Sequence, residues 1–310
     1  MGWTPPGLEL LRGAIDGHVH CAPHLNARSV HVFEAVRQAA AAGMRGLGIM
    51  CNFQNTSGYA ALANAELGHL GCTAFGGLIM QPAAGGISLE AARTALGYGY
   101  GPAGETRGGA RFISLPTHHT RFVASQEGRG PAFLETTFTV PRNGRVPEPV
   151  PAIMELCAAA DVAFDCGHVA GHEAVALAEE AKRCGVARLR AHAAGYALDE
   201  IAALAALGAH LEFSFFLLTH ATQLGLTHAD AEAHRITGAC TVHEMVPRIR
   251  AAGARAVLSS DAGLAVLPPP VEALREFLLL LQGAGLSEAE LHRMTCDNPA
   301  RLFGLPLETE

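Results

Sequence analysis

His18 and His20 stand two residues apart in the run GAIDGHVHCAPH (13–24), with Asp16 two positions before them and His24 four after. Imidazole nitrogens and a carboxylate oxygen are the donors that zinc and other borderline divalent ions take. In a chain with 16 histidines, roughly one His-x-His pair arises by chance, so this one carries weight only with partners elsewhere. Those partners exist. His168 closes DVAFDCGH, His192 closes ARLRAH and Asp261 closes AVLSSD, each a short apolar run that reads as a β-strand. His18, His20, His168, His192 and Asp261 thus all fall at proposed strand ends. Residues able to touch a substrate follow the same ends: His24 and Arg28 after the first strand, Asn52 and Gln54 after the second, His118, His119 and Arg121 after the fourth, and His220 after the seventh. Arg28 or Arg121 could clamp a carboxylate through paired hydrogen bonds. Cys51, His118 and His119 are further candidate ligands.

Positioning these groups falls to short apolar strands that alternate with amphipathic helices almost from end to end. Strands are predicted at 14–20, 46–51, 73–80, 110–116, 161–168, 187–192, 209–218 and 256–261. The helix over 30–43 has Ser29 as its expected N-cap and Gly43 as its stop, and Ser88 caps the helix after the third strand. Side chains two apart share a face of a strand, so Asp16, His18 and His20 are expected to point one way and Ile15 and Val19 the other. Asp16 could then orient an imidazole from behind, or bond to backbone on the barrel floor. Two stretches break the rhythm. The segment 117–149 shows no clear helix and is expected to hold a hairpin around Asn143-Gly144 as a lid or site wall. The segment 219–240, with His220, His228 and His234, is a second long loop. Eight strand–helix units over 1–310 predict an α/β protein, one (β/α)8 TIM barrel with long loops after strands four and seven and its chemistry at the C-terminal strand ends. A doubly wound sheet would need a Gly-rich nucleotide turn after the first strand, and that turn is absent.

Composition narrows the partners. A net charge of −7 with no basic run argues against nucleic acid and against an anionic membrane surface. The longest apolar run, FLLLLQGAG from Phe277, is too short to span a bilayer. The N-terminal MGWTPPGLELLRG lacks the basic start and apolar core of a signal peptide, and eight cysteines without a C-x-x-C pair read as reduced thiols in the cytoplasm. The expected partner is a small molecule, with a homo-oligomer left open. Lys182 is the sole lysine.

The motifs DGHVH on strand one, CGH on strand five, RAH on strand six, SSDAG on strand eight and the closing DNPARLFGL resemble the amidohydrolase superfamily over nearly the whole chain, in a little-characterised compact branch of it. The resemblance implies that His18, His20 and Asp261 bind the main metal, with His168 matching the strand-five ligand and His192 the strand-six histidine. In one-metal members the strand-five histidine joins the main ion and the strand-six histidine assists water or substrate. In two-metal members both hold a second ion, bridged by a carboxylated lysine or a glutamate from strand four. Strand four here, ARFISLPTHH, ends without lysine, glutamate or aspartate, and Lys182 lies in the helix after strand five. One divalent ion, zinc first, is therefore favoured, with a second left open. The implied activity is metal-dependent hydrolysis of an amide, cyclic amide or ester bond, with Asp261 as general base then acid and His192 polarising the carbonyl. Two alternatives stand beside it. One is one-metal decarboxylation of a small unsaturated or aromatic acid, which an arginine placed on a metal-bound carboxylate would favour, whereas a water-exposed metal with Asp261 on the water would favour hydrolysis. The other is a catalytically silent binding barrel.

Overall fold

Eight short strands form one sheet in the order β1 to β8: β1 (Ile15–Val19), β2 (Gly46–Ile49), β3 (Thr73–Ile79), β4 (Phe112–Ser114), β5 (Ala163–Asp165), β6 (Leu189–His192), β7 (His210–Ser214) and β8 (Ala256–Ser259). The computed structural model describes residues 5–98, 109–142, 144–219, 221 and 240–307. Every neighbouring pair runs parallel, and the strands are buried on both faces, as helical crossovers require. The ring closes just past the C-terminal ends of β1 and β8. There Asp261 N donates to His18 O at 2.9 Å, His20 N donates to Ala262 O at 2.8 Å, and Val19 bridges Ala262 in parallel. This is the (β/α)8 barrel expected from the alternation of strands and helices.

Outward side chains such as Leu47, Ile49, Leu211, Phe213 and Leu258 pack against the surrounding helices. The inward ones divide by depth. At the N-terminal end, Ile15, Phe75, Phe112 and Val257 form an apolar floor completed by Phe303 from the closing helix Asn298–Phe303. The Phe303 ring lies 4.7 Å from that of Phe75, and a Cβ on Gly17 would stand 2.3 Å from Phe303 Cε2. The terminal DNPARLFGL motif therefore plugs the barrel from below, and Gly17 makes room for it.

Three local expectations are corrected. The alternation along β1 is interrupted: Ile15 and Gly17 face the floor, Val19 packs outward, and the register with β2 shifts between Asp16 and Val19. Such a bulge re-aims side chains, and Asp16 consequently does not share a face with His18 and His20. The helix expected at 30–43 is Val32–Ala41, capped by the His31 ring and not by Ser29, with Glu34 N donating to His31 Nδ1 at 3.1 Å. Ser88 does cap the helix Leu89–Gly97. The stretch 117–149 contains two short helices, Arg121–Gln126 and Pro131–Thr136, and no strand among its described residues. Thr120 caps the first and Pro131 opens the second, both common helix starts. Asn143, and with it the proposed hairpin turn, lies outside the described residues, as do His220, His228 and His234. All eight cysteines are free thiols, and no described helix is long and apolar enough to cross a membrane.

His210, at the start of β7, is 4% exposed, and its Nδ1 has no hydrogen-bond partner among the described residues. Burial, helped by the nearby Arg255, lowers its pKa from 6.5 to about 4. Between those values the unfolded chain binds a proton that the folded chain refuses. Its contribution to stability is therefore complete above about pH 6.5 and lost as the pH falls toward 4. Urea titrations at pH 7 and pH 4.5 should show His210→Gln flattening this acid limb, by ~3 kcal/mol at most.

Candidate metal centre

The bulge in β1 turns both His18 and His20 into the mouth of the barrel, where Asp261 meets them from beyond the end of β8. The Nε2 atoms of His18 and His20 each lie 3.2 Å from Asp261 Oδ1, and the donor atoms of the three residues fall within 4.8 Å of one another. Both rings are fixed from behind. His18 Nδ1 is 2.9 Å from Glu212 Oε1, and His20 Nδ1 is 3.1 Å from the carbonyl oxygen of Met50. Holding Nδ1 in this way directs each Nε2 lone pair toward a ligand, the arrangement metal-binding histidines use. Asp261 adopts a left-handed backbone (φ 48°), uncommon for a residue with a side chain. The following turn presses on β1 so closely that a Cβ on Gly263 (φ 135°) would stand 1.8 Å from His20 O.

Charge at this point is unevenly shared. Burial opposes a proton on His18, but the Asp261 and Glu212 carboxylates outweigh it and raise the pKa to about 9. Burial lowers His20 to about 4, and His18 holds Asp261 down at about 2 despite burial. Asp16 is fully buried. Its Oδ1 accepts from His18 N at 3.2 Å and Ser260 N at 3.1 Å, so it stitches β1 to β8 and touches no imidazole.

Beneath the histidines lies a group of buried charges. Arg190, 1% exposed, donates from Nε to Asp165 Oδ2 at 2.8 Å and faces Glu212 Oε2 from Nη1 at 3.1 Å. Arg190 also makes a second bond to Asp165 through Nη2. Glu212 in turn holds His18, and His192 sits between Asp165 Oδ2 (3.2 Å from Nε2) and Glu212 Oε2 (3.3 Å from Nδ1). Arg190 holds both carboxylates well below the usual range against the penalty of burial. His18, His192 and Glu212 form a second grouping within 4.8 Å. Sequence reasoning singled out neither Asp165, Glu212 nor Arg190. A signal existed: each is a charged residue inside a largely apolar predicted strand, away from its first residues.

A cavity of about 440 Å³ opens above these residues, lined by His18, His20, His168, His192 and Asp261 together with His24's neighbour Arg28. His168 enters past the end of β5 and stacks on His192 with ring centroids 4.3 Å apart, though it belongs to neither close grouping of donor atoms. Asn52 and His118 also line the cavity, Asn52 accepting from Thr117 Oγ1 at 3.0 Å and His118 Nδ1 lying 2.8 Å from Glu127. His24 is not among the residues that line it, but its Nε2 lies 2.8 Å from Nη2 of Arg28, which does line the cavity. His119 and Arg121 are not brought to it. The short helices of 117–149 turn them aside, His119 Nε2 to Thr136 O (2.9 Å) and Arg121 Nη2 to Leu134 O (2.9 Å). Cys51 is buried with its sulfur accepting from Phe53 N, outside the cavity lining, and His220 lies outside the described residues.

Residues 13–212 match DUF6282, described as a family of unknown function. No curated protein matches the chain in sequence. Among solved structures it is similar to a variant of a PTE-like lactonase from Deinococcus radiodurans, at 17% identity and TM-score 0.55, covering 88% of this chain and 85% of that one. It is similar also to the organophosphorus hydrolase from Deinococcus radiodurans, at 17% identity and TM-score 0.53, covering 88% and 82%. An uncharacterized protein gives 16% identity and TM-score 0.55 over 95% of this chain and 75% of that one. At such identities these likenesses establish the fold.

Two substitutions test the geometry. Arg190→Met leaves two buried carboxylates uncompensated and should cost ~3–5 kcal/mol in urea unfolding. Gly263→Ala cannot keep the turn that brings Asp261 to His20. Its ability to bind zinc, followed by calorimetry, should fall by about tenfold or more, because displaced ligand or supporting groups commonly cost that much.

Proposed function

This chain belongs to the DUF6282 family, and from its site we propose that it is a metal-dependent hydrolase that activates water to cleave an amide, cyclic amide or ester bond of a small molecule. The observation that carries this reading is the convergence of His18 Nε2, His20 Nε2 and Asp261 Oδ1, with both Nδ1 atoms held from behind. Two imidazole nitrogens and a carboxylate oxygen beside an open cavity suit zinc or a similar ion. His18, His20 and Asp261 would hold it, with His168 on the cavity wall as the further ligand. A divalent ion supplies Lewis acidity there, making a water more acidic and a carbonyl more electrophilic.

The remaining steps belong to the chain. Asp261 accepts the water's proton on a carboxylate oxygen and returns it to the leaving group. His192, set between Asp165 and Glu212, steadies a substrate oxygen by exchanging one of those carboxylates for it. One ion is favoured. The strand-four position, where a bridging ligand would sit, offers only Ser114, which donates to Leu115 O. The free thiols fit a reducing cytoplasm. Similar barrels named as a lactonase and an organophosphorus hydrolase place lactones early among the substrates to try. Arg28 in the cavity wall keeps decarboxylation of a small acid as the second reading.

Elemental analysis of the purified chain should find about one divalent ion, the number the ligand set accommodates. His18→Ala should lose both ion and turnover on panels of lactones, amides and carboxylic acids. Asp261→Asn should lower turnover by about a hundredfold or more. Full activity in metal-free protein would defeat the proposal, and carbon dioxide as the product would select the second reading.

A further inference from the structure

The segment between β1 and the helix Val32–Ala41 runs along the barrel mouth. Antiparallel pairing of Arg28 with Leu264, and a 2.9 Å bond from Ser29 N to Gly263 O, fix it against the turn that follows Asp261. Arg28 therefore stands in the wall of the cavity that holds His18, His20 and Asp261. Its guanidinium is incompletely matched. Nη2 lies 2.8 Å from His24 Nε2, while Nε and Nη1 are shielded from solvent and have no hydrogen-bond partner among the described residues.

Nothing described neutralises this cation. His24 already accepts the Asn26 backbone N–H on Nδ1 at 3.0 Å, so in the neutral ring Nε2 carries the proton, and His24 offers Arg28 neither an acceptor nor a negative charge. No described carboxylate comes within ion-pair distance of Arg28, and the Asp261 oxygen that faces the site is engaged with His18 and His20. Shielded donors without acceptors cost free energy, and an anion entering the cavity that Arg28 lines would meet the uncompensated charge of its guanidinium. Among the described residues Arg28 is also the only lysine or arginine lining the cavity, and Leu25, Leu264 and Val266 line the same cavity with apolar side chains. A single guanidinium beside an apolar wall suits a monoanionic two-oxygen group better than a phosphate dianion.

We propose that Arg28 is a carboxylate clamp, and that the substrate carries a carboxylate joined to an apolar segment that packs on Leu25, Leu264 and Val266. The assignment of a substrate rests on the hydrolase reading; the binding of a carboxylate by Arg28 does not.

The test is calorimetric titration of the metal-loaded chain with phenylpropionate and with its neutral, unhydrolysable counterpart phenylpropanol. The carboxylate should bind about tenfold or more tightly than the alcohol, as a charge-assisted hydrogen bond provides. Arg28→Met should bind the two alike, with its affinity for the alcohol and its metal content unchanged. Arg28→Gln serves the same purpose should the methionine variant fail to fold by circular dichroism. Equal binding by the unaltered chain, including no measurable binding of either at millimolar concentration, overturns the clamp. So does a preference that survives both substitutions, which would place the carboxylate on the metal. Because these readouts concern binding alone, an Arg28-dependent preference without turnover on any amide or ester supports the clamp while defeating the hydrolase reading.

Discussion

Arg190 carries a positive charge into the middle of the barrel, where it is 1% exposed, and Asp165 and Glu212 are what make its burial tolerable. Desolvating an isolated ion costs several kcal/mol at least, about as much as a small domain's whole stability, so the three charges stand or fall together. Neither carboxylate spends itself on the arginine alone. Glu212 reaches up to His18 and His192, and Asp165 reaches His192. Below, the guanidinium stands 5.7 Å from the centre of the Phe112 ring and 5.5 Å from that of Phe303. The barrel interior is thus graded along its axis, from an apolar floor through a layer of paired charges to a layer of imidazoles and finally the cavity. Each layer fixes the one above it.

Closure of the sheet belongs to the same system. The hydrogen bonds joining β1 to the end of β8 come from Asp261 N to His18 O and from His20 N to Ala262 O, the backbones of the residues whose side chains converge. Asp16 adds a buried carboxylate across the seam, its pKa raised to about 7 by desolvation that its backbone bonds only partly offset. A change that loosened this seam would move donor atoms and ring closure at once. That coupling explains why a strained left-handed Asp261 and a glycine packed on His20 persist at this corner.

How much of this is legible in the sequence follows from what kind of fact each part is. Strand and helix alternation is local, and it sufficed for the barrel and for placing His18, His20, His168, His192 and Asp261 at one mouth. The bulge in β1 is a property of pairing with β2, so strict alternation misplaced Asp16. The fates of His119 and Arg121 were decided by two short helices whose starts rest on Thr120 and Pro131, too brief to leave a periodic signal. Asp165, Arg190 and Glu212 are visible as charges inside largely apolar strands. Their meaning depends on facing one another around the barrel wall, which no single strand reveals.

Arg190 and Arg28 make an instructive pair, because the same side chain meets opposite circumstances within one barrel. The first is held by two carboxylates beneath the centre and has no capacity left for a ligand. The second lies in the wall of an open cavity, leaning on a neutral histidine, with two nitrogens unmatched. Folding supplied counter-charges at the depth where water cannot compensate and omitted them where a solute can enter. A positive charge beside the histidines draws an anionic group toward Asp261 and its two imidazoles. The distribution of arginines thus orients the site, which an anionic group approaches from the side on which the charge is still unpaired.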